Sequence, residues 1–292
     1  MGTYSVSEVE KLTGIRSHTL RMWERRYDFL SSDRTSTNIR AYNDDQLKKL
    51  LNVTILIRHG FKLSKLNQLT NERIINLVIE ILDAQVSAFE DEIQGLTLAM
   101  IDMDEVRFFK ILNKQISGIG LLNAISKIIY PFLEHVGSLW RTNRTVPANE
   151  HFVSNLIRRR LLAAIDNLPI APQRANRLLL LNPEGEAHEL GLILADYIAR
   201  KAGWSTYYLG QNVPSSNIGD VLKQLTPDLV FSMFVIPRSF KQDKDLLDFI
   251  EKEPIPWICS GNMQAALDLS SSLKYLANPT ELMEYLNRFD NL

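Results

Sequence analysis

Residues Asn182-Pro183-Glu184-Gly185-Glu186-Ala187-His188-Glu189-Leu190-Gly191 lie between two patterned stretches of the chain. Residues 178–181 form a short apolar run, which is typical of a strand buried on both faces. Residues 191–199 have the small, apolar inner face of a helix. The order strand, loop, helix therefore places His188 at the carboxyl end of a first parallel strand, where open α/β sheets bind ligands.

Further apolar runs follow this unit and alternate with helical patterns. This rhythm predicts five βα units around a parallel sheet, a Rossmann-like (flavodoxin-like) domain over residues 171–292. A Gly-x-Gly-x-x-Gly fingerprint is absent, so a dinucleotide-binding function has little support. The four later strands are predicted at residues 205–209, 229–235, 257–260 and 273–276.

Composition places the chain among ordinary globular proteins. Its 292 residues are 45% hydrophobic and 23% charged, which suits two or three domains. The single cysteine, Cys259, excludes a disulfide framework within the chain and a multi-thiolate metal site in one subunit. The amino terminus lacks signal-peptide features, and no apolar run approaches the roughly 20 residues that span a bilayer. We therefore expect a cytoplasmic protein without a membrane segment.

Charge is unevenly distributed along the chain. Residues 1–70 hold twelve Lys and Arg against seven Asp and Glu, whereas the remainder holds twenty-one against twenty-seven. A basic amino-terminal part on an acidic body indicates that the basic part meets a polyanion.

The amino-terminal part has the pattern of a helix-turn-helix. Apolar residues recur at helical spacing over residues 6–12, with Ser5 or Ser7 available as the cap, and a Gly-Ile break precedes a second helical pattern over residues 17–27. A polar stretch with two arginines and a long helix that begins near Asn43 follow.

This segment resembles the MerR family of winged-helix regulators over residues 3–70. The family pattern is visible in Ser-Val-Ser-Glu-Val at 5–9, Thr-Leu-Arg-Met-Trp-Glu-Arg-Arg-Tyr at 19–27 and Arg-Ala-Tyr at 40–42, with Asn38 where the family has glycine. The resemblance implies a DNA-binding domain over residues 1–71. It also implies contacts to operator DNA by Arg16, His18, Thr19, Arg21, Arg34, Arg40 and Tyr42.

The middle of the chain has four helical patterns without a strand signal. They cover residues 72–94, 97–116, 120–140 and 148–168, with breaks at Gly95, at residues 117–120 and at Pro147. The simplest arrangement is an antiparallel four-helix bundle over residues 72–170. Two histidines outside the motifs, His59 and His135, are expected to be structural.

Trp140, nine residues and then Glu150-His151 match the Trp-x9-Glu-His signature of the CarH/LitR-type light-sensing regulators. In that family a four-helix bundle covers the upper face of adenosylcobalamin. The resemblance implies that Trp140 packs on the adenosyl group and that Glu150 accepts hydrogen bonds from the ribose. It places His151 at the upper corrin face, as a possible cobalt ligand after photolysis.

The opening motif, Glu186-x-His188-x-x-Gly191, resembles the cobalamin-binding motif Asp-x-His-x-x-Gly. The resemblance implies that His188 is the lower ligand of cobalt and that Glu186 orients it. Ser232 stands where the family has Ser-x-Leu and Gly261 where it has Gly-Gly, so both would line the channel for the nucleotide tail. Phe234 and Ser260 depart from the family pattern. A zinc site built from Glu186, His188 and Glu189 is disfavoured, because neighbouring loop residues rarely converge on one ion.

These resemblances together imply a multidomain α + α/β transcriptional repressor that uses adenosylcobalamin as a light-sensitive effector. They also imply a homo-oligomer, a tetramer when the cofactor is bound, that binds operator DNA. The alternative is a MerR-type regulator whose cobalamin-like domain serves protein–protein interaction without cofactor. A corrinoid methyl carrier or mutase subunit is disfavoured, because no substrate-activating domain fits in the remaining length.

Overall fold

The computed structural model describes residues 3–27, 32–34, 40–83, 89–140, 147–235, 254–261 and 273–289. The chain forms two compact units, Met1–Leu156 and Ile157–Leu292. The division into three parts at residues 71/72 and 170/171 stays a prediction.

The first unit begins with a winged helix. A three-stranded antiparallel sheet with the order β1-β3-β2 packs beside three helices. Its strands are β1 (Thr3–Ser5), β2 (Asp33–Arg34) and β3 (Arg40–Asn43), and its helices are α1 (Val6–Thr13), α2 (Ser17–Arg26) and α3 (Asp44–Arg58).

Local sequence signals define the helix ends of the winged helix. Ser5, and not Ser7, is the N-cap of α1 and forms a capping box with Glu8. Gly14 ends α1 in the left-handed region at φ 72°, which glycine adopts without steric cost. Asn43 caps α3 through a second capping box, so the predicted helix-turn-helix and the start of the third helix are confirmed.

The remainder of the first unit is helical. Helices α4 to α7 are followed by a helix interrupted by a π-helical stretch and then by α10, which runs on into the second unit. Their bounds are α4 (Leu63–Leu66), α5 (Asn71–Asp83), α6 (Phe89–Ile101), α7 (Glu105–Ile119), α8 (Leu121–Ala124), the π-helical stretch Ile125–Ile129, α9 (Tyr130–Trp140) and α10 (Pro147–Asp166).

The predicted break at Gly95 is wrong, because Gly95 lies inside α6. A Cβ atom at this position would be 2.9 Å from both Leu82 Cδ1 and Ile111 Cδ1, so the glycine allows close packing of three helices. The turn lies instead before Asp104, whose side chain caps α7 by accepting from Arg107 N–H at 2.9 Å.

A buried carboxylate joins the winged helix to the helical part. Asp91 of α6 is fully buried, and its Oδ1 accepts from Arg58 Nε at 2.8 Å while its Oδ2 lies 2.8 Å from His59 Nε2. Gln94 adds two bonds, accepting from Arg58 Nη2 at 3.0 Å and donating to the Thr13 carbonyl at 3.4 Å. His59 is the C-cap residue of α3 and so has the structural position expected of it.

His135 in α9 also faces the winged helix. Burial lowers the pKa of His135, although a hydrogen bond with the Leu12 backbone opposes this shift. His135 is thus a half-buried side chain in α9, the helix that contacts α1.

The second unit contains the predicted parallel sheet, with the strand order β5-β4-β6-β7-β8. When the five strands of this sheet are numbered 1 to 5 along the chain, their order is 2-1-3-4-5, which is that of the flavodoxin-like fold. The strands are β4 (Arg177–Pro183), β5 (Ser205–Val213), β6 (Leu229–Phe234), β7 (Trp257–Gly261) and β8 (Leu273–Tyr275), and the helices are α11 (Leu190–Lys201), α12 (Ser215–Leu225) and α13 (Pro279–Arg288).

The order in which the chain adds strands reverses between β4 and β6: β5 lies on one side of β4 and β6 on the other, and all three strands are parallel. Leu178 to Leu181 of β4 are fully buried, as the apolar run predicted. Crevices that bind ligands form at such a switch point, outside the carboxyl ends of the strands. None of the helices in the described ranges is long and apolar enough to cross a membrane.

Candidate functional sites

His188 lies at this switch point and is paired with Glu186. Its Nδ1 is 2.6 Å from Glu186 Oε1, and its backbone N–H donates to the same oxygen at 3.0 Å. Glu186 is fully buried, and its Oε2 accepts from the Val235 N–H at the end of β6, at 2.8 Å. The His188 side chain is 39% exposed. The structure thus brings together the two residues that the motif predicted as cobalt ligand and orienting carboxylate.

Two asparagines, Asn182 and Asn212, hold the loop that carries this pair. Neither was predicted from the sequence as a site residue. The fully buried Asn182 donates to the His188 carbonyl at 3.0 Å and accepts from the Met233 N–H at 2.8 Å. Asn212, in the left-handed region at φ 55°, accepts from the Gly185 N–H at 3.0 Å. The loop is therefore fixed to the ends of both neighbouring strands.

Glu189 forms a third attachment of the same loop. Its Oε2 forms an ion pair with Arg158 Nη2 of α10, and its Oε1 accepts from the Tyr208 hydroxyl of β5 at 3.0 Å. Burial, followed by the charge of Glu189, raises the pKa of Tyr208 well above its ordinary value. Tyr208 therefore remains a hydrogen-bond donor at neutral pH.

Gly191 lies beside the side chain of Met233. A Cβ atom at Gly191 would be 2.8 Å from the Cγ, Sδ and Cε atoms of Met233. Methionine is flexible and unbranched, so this side chain can move when another group needs the space. Glycine at position 191 thus allows the Met233 side chain to pack directly against the start of α11.

The residues predicted to line the nucleotide channel lie deeper in the sheet. Ser232 is fully buried, and its Oγ accepts from Trp257 Nε1 at 3.1 Å. Phe234 is also fully buried in the core on the α12 side. Gly261 has φ 104°, and a Cβ atom there would be 2.2 Å from the Phe234 carbonyl oxygen. The close approach of the Phe234 backbone is therefore enough to require glycine at position 261, without any ligand.

The three residues predicted above the corrin lie on two helices. Glu150 Oε1 accepts from Ser154 Oγ at 2.7 Å, and Glu150 Oε2 is 3.5 Å from His151 Nδ1. His151 is 68% exposed in the first turns of α10. Trp140 is the last residue of α9, and its side chain lies outside the described residues.

Most of the predicted DNA contacts cluster at the start of α2. Arg16 is the N-cap residue of this helix and is exposed, as are His18 and Arg21, whereas Thr19 is half-buried. Arg34 ends β2, and its side chain lies outside the described residues, as does the whole of Asn38. The exposed arginines at the start of α2 and along it form the surface expected of a recognition helix.

Glu24, near the other end of α2, is hydrogen-bonded to β3, the second strand of the wing formed by β2 and β3. Its Oε2 accepts from Arg40 Nε at 2.8 Å, and its Oε1 accepts from the Tyr42 hydroxyl at 2.8 Å. Tyr42 is only 1% exposed, and burial together with this hydrogen bond raises its pKa. A phosphate contact by Tyr42 would require its hydroxyl to leave Glu24. Arg40 keeps other guanidinium donors beyond Nε, so it can bind Glu24 and a phosphate together.

Comparison with known proteins agrees with this arrangement. Residues 4–73 match the MerR HTH family regulatory protein profile, and residues 92–164 match the B12 binding domain profile. The HTH-type transcriptional repressor CarH of Myxococcus xanthus is 30% identical over 251 residues, which cover 84% of this chain and 83% of CarH. The repressor CarA of the same organism is 27% identical over 299 residues, or 99% and 98% of the two chains.

A solved structure has a similar fold over part of this chain. The monomethylamine corrinoid protein of Methanosarcina barkeri superposes with a TM-score of 0.56 at 15% identity, over 69% of this chain and 100% of that chain. The fold and sites thus define a regulatory DNA-binding protein that combines a MerR-type helix-turn-helix with a B12-binding domain. By its similarity to CarH over most of both chains, this chain belongs to the family of HTH-type transcriptional repressors that includes CarH and CarA.

Proposed function

We propose that operator binding by this repressor is controlled by adenosylcobalamin, with His188 as the lower ligand of cobalt and light as the signal. The supporting observation is the 2.6 Å pairing of His188 Nδ1 with the buried Glu186 carboxylate at the ligand-binding edge of the sheet. A carboxylate on Nδ1 favours the tautomer in which Nε2 is unprotonated and raises its basicity as a ligand.

Other residues have distinct roles in this proposal. When bound, adenosylcobalamin supplies a cobalt–carbon bond that light can cleave. Trp140 offers a flat apolar surface to the adenosyl group, Glu150 accepts from the ribose hydroxyls, and His151 is the candidate cobalt ligand after photolysis. Gly191 and Met233 provide the space beside His188.

The proposal extends to the assembly and its location. We propose a cytoplasmic homo-oligomer, a tetramer in the cofactor-bound state, that presents several winged helices to one operator. Its parts are a winged helix (1–71), a helical cap (72–170) and a cobalamin-binding domain (171–292). The light signal would act by changing this assembly, so that the winged helices no longer bind DNA together.

The direct test is cofactor binding by the purified full-length protein. The protein is incubated with adenosylcobalamin in darkness, freed of unbound cofactor and examined by absorption spectroscopy. We expect a coloured protein with one cobalamin per chain and the spectrum of histidine-ligated cobalt. A colourless protein at saturating cofactor would refute the proposal.

One observation favours a second function, that of a repressor whose cobalamin-like domain acts through protein contacts without cofactor. Ser232 is bonded to Trp257, and Phe234 is fully buried, where the nucleotide tail was expected to pass. A ligand tail would have to displace these side chains. This second function predicts a colourless protein whose DNA affinity is the same with and without adenosylcobalamin.

A further inference from the structure

The Glu189 side chain is bonded to residues outside its own helix. Glu189 is the N-cap residue of α11, a position where short polar side chains often accept from the first backbone N–H groups of the helix. No such cap bond is present here. The carboxylate instead binds Arg158 at 2.5 Å and Tyr208 at 3.0 Å.

The carboxylate of this cluster is shielded, although its cationic partner is partly exposed. The Glu189 side chain is 16% exposed and Arg158 is 46% exposed, and Glu189 receives a charged donor on one oxygen and a phenol on the other. An exposed ion pair contributes little, whereas a shielded carboxylate with both oxygens bonded is strongly held in place. The three side chains come from α10, β5 and the start of α11.

Glu189 is also covalently next to His188, which is held from its other side by Glu186. His188 thus lies between two anchored residues. Glu186 is hydrogen-bonded to its ring and to its backbone N–H, and Glu189 follows it directly in the chain. We infer that Glu189, with Arg158 and Tyr208, is a positioning residue that fixes where His188 presents its ring at the cofactor site. This inference rests on the proposed binding of cobalamin by His188.

The test uses the full-length protein with the substitutions Glu189→Gln, Arg158→Gln and Tyr208→Phe and the double variant Arg158→Gln/Glu189→Gln. Arg200→Gln is the matched control, because Arg200 forms an ion pair at 2.8 Å with Asp196 within the same helix α11 but away from the loop. Affinity for adenosylcobalamin and hydroxocobalamin is measured by absorption titration. Hydrogen exchange of the loop at residues 184–191 is measured without cofactor.

We expect cobalamin affinity about tenfold weaker in Glu189→Gln and Arg158→Gln, with the double variant no worse than either, because partners of one pair are not additive. Arg158→Lys should restore much of the loss, since it retains the charge. Loop exchange should be faster in the same variants and unchanged in Arg200→Gln. This pattern differs from that of general destabilisation, which would also accelerate exchange in α12.

Two failures can be distinguished. Wild-type affinity and wild-type loop exchange in Glu189→Gln would overturn the positioning role while leaving cobalamin binding intact. Absence of cobalamin binding by the wild type would overturn the proposed function, and the exchange measurement would still decide whether Glu189 holds the loop.

Discussion

His188 is held by contacts that leave little freedom to its ring and backbone. Glu186 binds both its Nδ1 and its N–H, and Asn182 binds its carbonyl. A histidine that binds a metal through one ring nitrogen usually needs such a partner on the other. Single substitutions at His188 and Glu186 therefore test the proposed cofactor role most directly.

His188→Ala removes the proposed cobalt ligand, so we expect cobalamin affinity to fall by about 100-fold or more and any residual complex to lose the spectrum of histidine-ligated cobalt. Glu186→Gln removes only the orienting charge, and a loss of about 10- to 100-fold is expected. Titration followed by absorption spectroscopy measures both. His18→Ala, in the winged helix, is the matched histidine control and should bind cobalamin as the wild type does. An unchanged spectrum in His188→Ala would remove the central claim.

Gly191→Ala is expected to reduce cobalamin affinity without unfolding the protein. The three atoms nearest to the new methyl group all belong to the Met233 side chain, which can move away, but the methyl group would then occupy part of the proposed cofactor site. Thermal unfolding without cofactor and cobalamin titration separate the two effects. Normal cofactor affinity in a folded Gly191→Ala variant would contradict a ligand at this edge.

In contrast to Gly191→Ala, Gly261→Ala is expected to destabilise the fold itself. Its methyl group would meet the Phe234 carbonyl oxygen at 2.2 Å, and φ is 104°, so backbone strain is unavoidable. We expect a loss of about 3 kcal/mol in the free energy of unfolding, measured by denaturant titration without cofactor. A fully stable variant would show that Gly261 is retained for a reason other than this backbone approach.

The sequence predicted Glu186 and His188 because both belong to one short motif on a loop with a recognisable setting. It did not predict the roles of Asn182, Glu189 or Asn212. Met233, one of the two partners of Asn182, is 51 residues away, and Tyr208, the partner of Glu189 on β5, is 19 residues away. Such pairs become visible only when the strand order is known, since a polar residue on a loop carries no periodic signal of its own.

At the scale of elements, the contact between α3 and α6 depends on Asp91. Asp91→Asn removes the charge that binds Arg58 and His59 at a fully buried position. Breaking a buried pair leaves the remaining charge poorly compensated, although partial exposure of Arg58 and His59 reduces the penalty. We expect a loss of about 2 kcal/mol in the free energy of unfolding, measured by denaturant titration.

Asp102→Asn is the matched control for Asp91→Asn, because Asp102 also binds a cation of α3. Its partner Lys48 is at 3.0 Å, but Asp102 is 40% exposed. An exposed pair contributes about 0–1 kcal/mol, so the control should lose much less stability. Equal effects of the two substitutions would show that the buried contact does not hold the winged helix on the helical part.

Helices and strands were predicted well where the apolar pattern in the sequence was continuous. Each of the five strands of the parallel sheet was found at an apolar run. The central strands β4, β6 and β7 are almost wholly buried and have few polar interruptions, whereas the edge strands β5 and β8 are partly exposed. The helix boundaries near Gly95 were wrong, because glycine was taken as a break where it serves close packing. The π-helical stretch Ile125–Ile129 was missed, since its apolar residues also satisfy an ordinary helical period.

At the scale of the whole molecule, the basic winged helix and the acidic remainder have separate tasks, so their variants should be separable. Arg21→Ala and Arg40→Ala should each weaken operator binding and flatten the log–log salt dependence by about 0.9 for one lost phosphate contact. Gel-shift titrations at several salt concentrations measure this slope. Cobalamin affinity should be unaltered. Unchanged DNA binding in both variants would show that these residues do not contact DNA.

The proposed assembly should depend on which cobalamin is bound and on light. If adenosylcobalamin joins several winged helices into one particle, each operator is bound at several points, and such multivalency strengthens binding by about 100-fold or more. Hydroxocobalamin has no adenosyl group for Trp140 and Glu150, so it should bind and yet fail to form the DNA-competent assembly. Green light should convert the adenosylcobalamin complex to the same inactive form.

Size-exclusion chromatography measures the mass of the particle and gel-shift titration measures its operator affinity. Both are carried out in darkness and under green light, for apo protein and for each cobalamin. We expect a larger particle and tight operator binding only with adenosylcobalamin in darkness. His151→Ala should leave dissociation by light largely intact and destabilise the photoproduct, because His151 is the proposed cobalt ligand after photolysis. Equal mass and equal DNA affinity in all of these conditions would exclude the light switch. That result, together with a colourless protein, would favour the repressor that works through protein contacts alone.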